Sequence, residues 1–187
     1  AAKKLKPVRA EVIPGWSTSL RDLSNSCDYL IIAHQTLLDT VETLAQYRRS
    51  QVGGGFAVKV VDVRQVYDEF DNGLPTGLAI QEFIRYAVRY WTKPPLYVLL
   101  VGDGIVKYSD EWLASPVALV PTLSEPVFKW GMTGSDHGYT LAVGDDGLPD
   151  VFLGRIPAPD NTSLRQVINK IIAFEQSPQL DHSWRNT

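Results

Sequence analysis

The segment Leu96-Tyr97-Val98-Leu99-Leu100-Val101-Gly102-Asp103-Gly104 constrains the fold of this chain more than any other. Pro94 and Pro95 stand before it and exclude a helix running in from Trp91. Six apolar residues follow without polar alternation and close on Gly-Asp-Gly. A run so short, entered by prolines and left through glycines, reads as a strand buried on both faces. Strands of that kind belong to parallel sheets covered by helices, where ligands sit beyond the carboxyl ends of the strands. Asp103 stands at that end.

The neighbouring segments extend the same pattern. Residues 1–27 carry Pro7, Pro14 and Gly15 without a sustained period, and read as an extended lead-in pinned by Trp16. Tyr29-Leu30-Ile31-Ile32-Ala33-His34 is a second continuous apolar run and predicts a buried strand. From Leu37, apolar residues at helical spacing lead to Arg48-Arg49, basic residues that suit a helix C-terminus. Gly53-Gly54-Gly55 then separates a helix from a strand, the reverse of the order a phosphate loop needs, and reads as a flexible connection. Phe56 to Val63 predicts a strand, Val66, Tyr67 and Phe70 a short helical turn, and Thr76 to Trp91 an amphipathic helix. Further on, Val117–Val120 predicts a short strand and 131–138 a polar loop. Tyr139–Val143 and Val151–Gly154 read as a hairpin, and Asp160 or Thr162 caps a helix through Glu175. The order strand, helix, strand, helix, strand is that of an α/β fold, a mostly parallel sheet flanked by helices, here with an added β-hairpin.

Bulk properties narrow the function. A chain of 187 residues with 44% apolar and 21% charged residues builds one substantial core, and 28–177 is its expected extent. A net charge of -3 gives no electrostatic case for nucleic acid or an anionic membrane as partner, and no apolar run is long enough to span a bilayer. The start, Ala1-Ala2-Lys3-Lys4-Leu5, reads as excised or processed. Cys27 is the single cysteine, so neither an internal disulfide nor a cysteine-based zinc site forms.

Polar constellations are few. Asp103 and the segment Gly144-Asp145-Asp146-Gly147-Leu148-Pro149-Asp150 offer carboxylates and carbonyls around a glycine turn, the oxygen set that calcium takes. The same residues also make an ordinary acidic turn, and spacing alone leaves both readings open. Cys27 precedes the first strand and His34 ends it, a separation of about 20 Å in extended chain, so they do not pair. Ser135-Asp136-His137 sits on one loop without a nucleophile elbow, which argues against a triad. Asn161-Thr162-Ser163 fits the N-glycosylation pattern, and His182 falls in a polar tail.

Taken together, YVLLVGD (Tyr97–Asp103), Ser135-Asp136 and YTLAVGDDGLPDVFLGR (Tyr139–Arg155) resemble the gingipain-type cysteine peptidases, family C25. YLIIAH, YRRSQ, VKVVDV and INKIIAFEQ add to the likeness, which covers about 28–176. The resemblance implies a caspase-like, Rossmann-like sheet and a structural calcium ion held by Asp103, Val143, Asp146, Leu148 and Asp150. Asp150 stands where the family often carries the longer Glu. The family's catalytic His and Cys lie in a second, downstream subdomain. No residue here matches either, and 178–187 reads as the tail at the boundary to that subdomain.

The expectation is therefore the N-terminal, non-catalytic subdomain of a C25-like cysteine endopeptidase. Its partners would be the downstream catalytic subdomain and, through it, protein substrates, at the cell surface or outside the cell. A stand-alone, non-catalytic α/β module that binds protein is the alternative.

Overall fold

The computed structural model describes residues 16–104, 119–129, 131–144 and 146–177. Four strands form one parallel sheet: β1 (Tyr29–Ala33), β2 (Val58–Asp62), β3 (Tyr97–Val101) and β6 (Phe152–Ile156), in the order β2-β1-β3-β6. Their pairing is in register, with Ile31 opposite both Val60 and Leu99, and Leu99 opposite Gly154.

Alternation along the strands sorts the apolar residues into two cores. Leu30, Ile32, Val98 and Leu100 face the helices α2 (Val63–Phe70) and α3 (Gly77–Tyr90), meeting Val66, Ile80, Phe83 and Ile84. Ile31, Ala33, Leu99 and Val101 face α1 (Leu38–Arg49) and α4 (Asn161–Gln176), meeting Val41, Leu44, Leu164 and Ile168. Both faces are covered, which is why β1 and β3 are continuously apolar rather than alternating.

Each helix starts where its side-chain chemistry supplies a cap. The side chains of Asp62, Thr76 and Asp160 accept backbone N–H groups at the first turns of α2, α3 and α4. A bidentate Arg48–Glu175 pair (2.7 and 2.8 Å) and a Thr40–Asn161 hydrogen bond (2.7 Å) join α1 to α4. The glycine connection is a turn, with Gly53 and Gly55 N–H donating to the Ser50 carbonyl. Trp16 does pin the lead-in, its Nε1 donating to Asp68 at 2.7 Å. Residues 1–15 and 178–187, with His182, lie outside the described residues.

The hairpin is present but is built from other residues than expected. It pairs β4 (Leu123–Val127) antiparallel with β5 (Gly131–Ser135), the second of which falls inside the stretch expected as a polar loop. Tyr139–Val143 is not a strand: His137–Tyr139 forms a 3-10 turn and Tyr139 is buried beneath it. The residues after Val151 join the main sheet as β6, parallel to β3. Asp150 explains the difference. Its N–H bonds the Thr140 carbonyl, and its carboxylate then takes the N–H groups of Ala142 and Val143, so side-chain bonds replace a ladder. Leu119-Val120 is a bend, and Val117-Ala118 lie outside the described residues.

From β1 the chain steps outward to β2 under α1, then crosses back over β1 to β3 by way of α2 and α3 on the opposite face. The strand order thus reverses between β1 and β3, and a crevice opens past their carboxyl ends at such a point. The amino ends are sealed differently, by a row of stacked rings: Tyr29–Tyr97 at 5.8 Å and Tyr97–Phe152 at 5.6 Å between centroids.

Candidate functional site

The reversal point is bounded by His34 after β1 and by Gly102-Asp103 after β3. Gly102 adopts φ 142°, and a Cβ there would come within 2.9 Å of the Val120 side chain, so the close passage of 119–120 requires glycine. Asp103 anchors that passage through its carbonyl, which accepts Leu119 and Val120 N–H at 2.9 and 3.1 Å. Its half-buried carboxylate has no hydrogen-bond or ionic partner among the described residues.

Arg155, near the end of β6, is the residue that orders this corner. Its Nε and Nη2 grip the Asp136 carboxylate at 2.6 and 2.8 Å, while Nη1 donates to the Gly102 and Val120 carbonyls and Nη2 to that of Pro121. One planar fork therefore ties β3, the 119–121 segment and the loop after β5 together. Nothing in sequence spacing pairs Asp136 with Arg155, although an arginine inside a strand bordering a buried sheet always signals a partner to be found. Tyr139 adds a hydrogen bond to the Pro121 carbonyl at 2.8 Å.

Beside this corner, the 141–150 loop closes on itself. Asp150 Oδ2 accepts Ala142 and Val143 N–H at 2.8 Å each, and Asp146 Oδ1 accepts Leu148 N–H at 3.0 Å. Val143, Asp146 and Leu148 line a cavity of about 130 Å³, together with Leu141 and Arg85; Asp103 and Asp150 are not among its lining residues. Arg85 Nε donates to the Leu141 carbonyl. Among the described residues no three His, Cys, Asp or Glu side chains gather closely enough to hold a metal, so Asp103, Asp146 and Asp150 do not stand as one cluster. The loop's donors are nonetheless all oxygen, the chemistry a hard cation takes. Asp145 lies outside the described residues.

The sulfur and imidazole groups are arranged for structure. Cys27 is fully buried ahead of β1, and desolvation pushes its thiol up to about 12, so it is not a thiolate at neutral pH. His34 is at the opposite end of β1, where its ring faces Thr36 Oγ1 at 2.9 Å and burial holds its pKa below the ordinary value. His137 opens a 3-10 turn, its N–H donating to Ser135 Oγ. The described residues therefore assemble no Cys-His pair.

Solved structures share this fold. Dimeric latent PorU from Porphyromonas gingivalis superposes with a TM-score of 0.65 at 24% identity, over 80% of this chain and 16% of that one. The complex of P. gingivalis RgpB pro- and mature domains gives 0.58 at 21%, over 78% of this chain and 28% of that one. The Arg-specific cysteine proteinase gingipain R gives 0.59 at 21%, over 84% of this chain and 30% of that one. Identities this low show the fold alone, and this chain spans less than a third of each solved chain. No curated protein matches the sequence significantly. The family model for peptidase family C25 does match, over residues 22–187. That range takes in both cores, the Arg155 corner and the 141–150 loop, and the protein belongs to peptidase family C25.

Proposed function

We propose that this chain is the non-catalytic subdomain of a C25-type cysteine endopeptidase and scaffolds a catalytic subdomain that supplies the nucleophile and base. The observation that carries the reading is the pairing of a family match over 22–187 with a lone cysteine that is buried, protonated and a strand's length from His34. A cysteine peptidase needs a thiolate within hydrogen-bond reach of an imidazole, and this half of the fold offers none among its described residues. In the whole enzyme the partner subdomain's thiolate would attack the peptide carbonyl, with its imidazole carrying the proton.

A docking face supports the same reading. β6 borders the sheet, its outer edge carrying no strand among the described residues. Phe152 in β6, and Leu148 and Val143 in the loop that leads into it, expose 66, 65 and 49% of their surface. An open edge flanked by apolar side chains invites a packed neighbour. The test is the reading frame beyond Thr187. A Gly-His-Gly followed by a cysteine supports the proposal; a frame that ends without them overturns it in favour of a stand-alone protein-binding module.

We also propose that the 143–150 loop seats structural calcium through the carbonyls of Val143 and Leu148 and the carboxylate of Asp146, with Asp150 and Asp103, which do not stand in one cluster with Asp146 here, drawn in as further ligands when the ion binds. Asp146 Oδ2 and Asp150 Oδ1 are uncommitted among the described residues, which supports the assignment. Calcium, when bound, supplies only rigidity here. It should raise the melting temperature of this chain, and Asp146→Ala should abolish the rise; no effect of calcium on the unsubstituted chain overturns the site. Placement at the cell surface or outside the cell follows from the peptidase reading. No described helix is long and apolar enough to cross a membrane.

A further inference from the structure

The outward face of α3 carries a second feature that the peptidase reading does not use. Glu82, Arg85, Tyr86, Arg89 and Tyr90 follow one another at helical-neighbour spacings and line one side of a cavity of about 230 Å³. Arg21, from the segment before β1, closes the other side. Its guanidinium lies 4.2 Å from the centre of the Phe70 ring and 5.4 Å from that of Tyr86. Its Nε and Nη2 donate to the Glu69 carbonyl at 3.1 and 2.7 Å, and Tyr86 Oη donates to the Arg21 carbonyl. Arg21 is thus held in place with Nη1 uncommitted among the described residues.

Arg85 is held in the same manner, by Leu141 and by Glu82 at 3.0 Å, leaving Nη2 uncommitted among the described residues. Arg89 has no hydrogen-bond or ionic partner among the described residues. Three guanidinium groups therefore share the cavity with a single carboxylate, on a chain whose net charge is -3. Arg85 and Arg89 are four residues apart on one helix, a spacing at which like charges repel. The rings of Phe70, Tyr86 and Tyr90 exclude water from part of the wall, which strengthens the field of the unspent donors.

We infer that this cavity is an anchoring pocket for a carboxylate side chain of an acidic peptide segment on a partner polypeptide. Guanidinium forks match the two oxygens of a carboxylate, and two of the three are already immobilised by bonds within the chain. Size decides against larger anions: the cavity falls below the roughly 300–1,000 Å³ of a drug-sized site, so it takes one side chain and not a nucleotide. No residue of the Arg155 corner lines the pocket, and Arg85 is the one lining residue it shares with the 141–148 cavity, so the inference does not rest on the peptidase assignment.

The test is a titration of the full 187-residue chain with an acetylated, amidated tetraglutamate peptide, followed by amide chemical shifts at about 20 mM salt, where screening is weak. Saturable shifts centred on Tyr86, Arg89 and Tyr90 are expected, with Arg89→Gln weakening binding roughly five- to tenfold and Arg89→Lys keeping part of it. Arg89 makes no contact that the fold needs, so these variants should keep the unsubstituted spectrum elsewhere. Absence of saturable shifts overturns the inference, as does unchanged affinity in Arg89→Gln. Inorganic phosphate binding as tightly as the peptide also overturns it, because the pocket would then be a plain oxoanion site.

Discussion

Replacing Arg155 by Met keeps most of the side chain's volume and removes its charge and donors, so it isolates the polar tie at the end of the sheet. Arg155 is 12% exposed and its partner Asp136 23%. Stranding one member of a buried ion pair costs about 3–5 kcal/mol, and partial exposure of this pair places it toward the lower end. The carbonyls of Gly102, Val120 and Pro121 lose a donor as well, but these losses overlap with the first because one fork serves all of them. The expected destabilisation is about 3–4 kcal/mol, or roughly 10 °C of melting temperature in a chain of this size. Urea unfolding of Arg155→Met, Asp136→Asn and the double variant measures it. The double variant should recover at least about 1.5 kcal/mol relative to the sum of the singles. A loss below about 1 kcal/mol, or strict additivity, would refute the claim that this fork organises the corner.

Three further outcomes follow from the same geometry. Gly102→Ala forces a Cβ to 2.9 Å from Val120 at a φ of 142°, and should cost roughly 2–3 kcal/mol in the same urea assay. Cys27, buried with its thiol raised to about 12, should react with a thiol-specific chromophore only after unfolding, so fast labelling of the folded chain would contradict its placement. Asp28 is held below the ordinary carboxylate range chiefly by its hydrogen bond from Lys93 and next by the Ala57 N–H, and Glu175 chiefly by Arg48. Lowered carboxylates add stability that is present at neutral pH and lost as pH falls through their lowered values, below about 4. Urea midpoints should therefore drop more steeply with acid in the unsubstituted chain than in Asp28→Asn, and parallel curves would count against this pair.

Much of the fold was legible because burial on both faces leaves a plain signature. β1 and β3 are continuous apolar runs, β2 is apolar apart from Lys59 and Asp62, α1, α3 and α4 show their apolar spacing, and Asp160 caps α4 as its position suggests. The β4–β5 hairpin was not legible. Leu123–Val127 contains Pro126, Gly131–Ser135 contains two glycines, and among the described residues of the two strands Leu123 alone packs against a core, too little to impose an apolar alternation. β6 is hidden for a related reason: Phe152 is exposed and Arg155 polar, so its run reads as half of a local hairpin rather than a sheet border. The pairing of Arg155 with Asp136 is a spatial fact across 19 residues, and periodicity carries nothing of it. The same holds for Arg21 and α3, whose approach across the surface depends on the Phe70 and Tyr86 rings between them.

The central claim is that this half of a C25 fold holds a scaffold and no catalytic centre of its own. Incubating the purified 187-residue chain with a mixed library of quenched fluorogenic peptides, with calcium and a reducing agent present, tests it most directly. The account predicts no hydrolysis above buffer. Turnover that is blocked by iodoacetamide and lost in Cys27→Ser would contradict it.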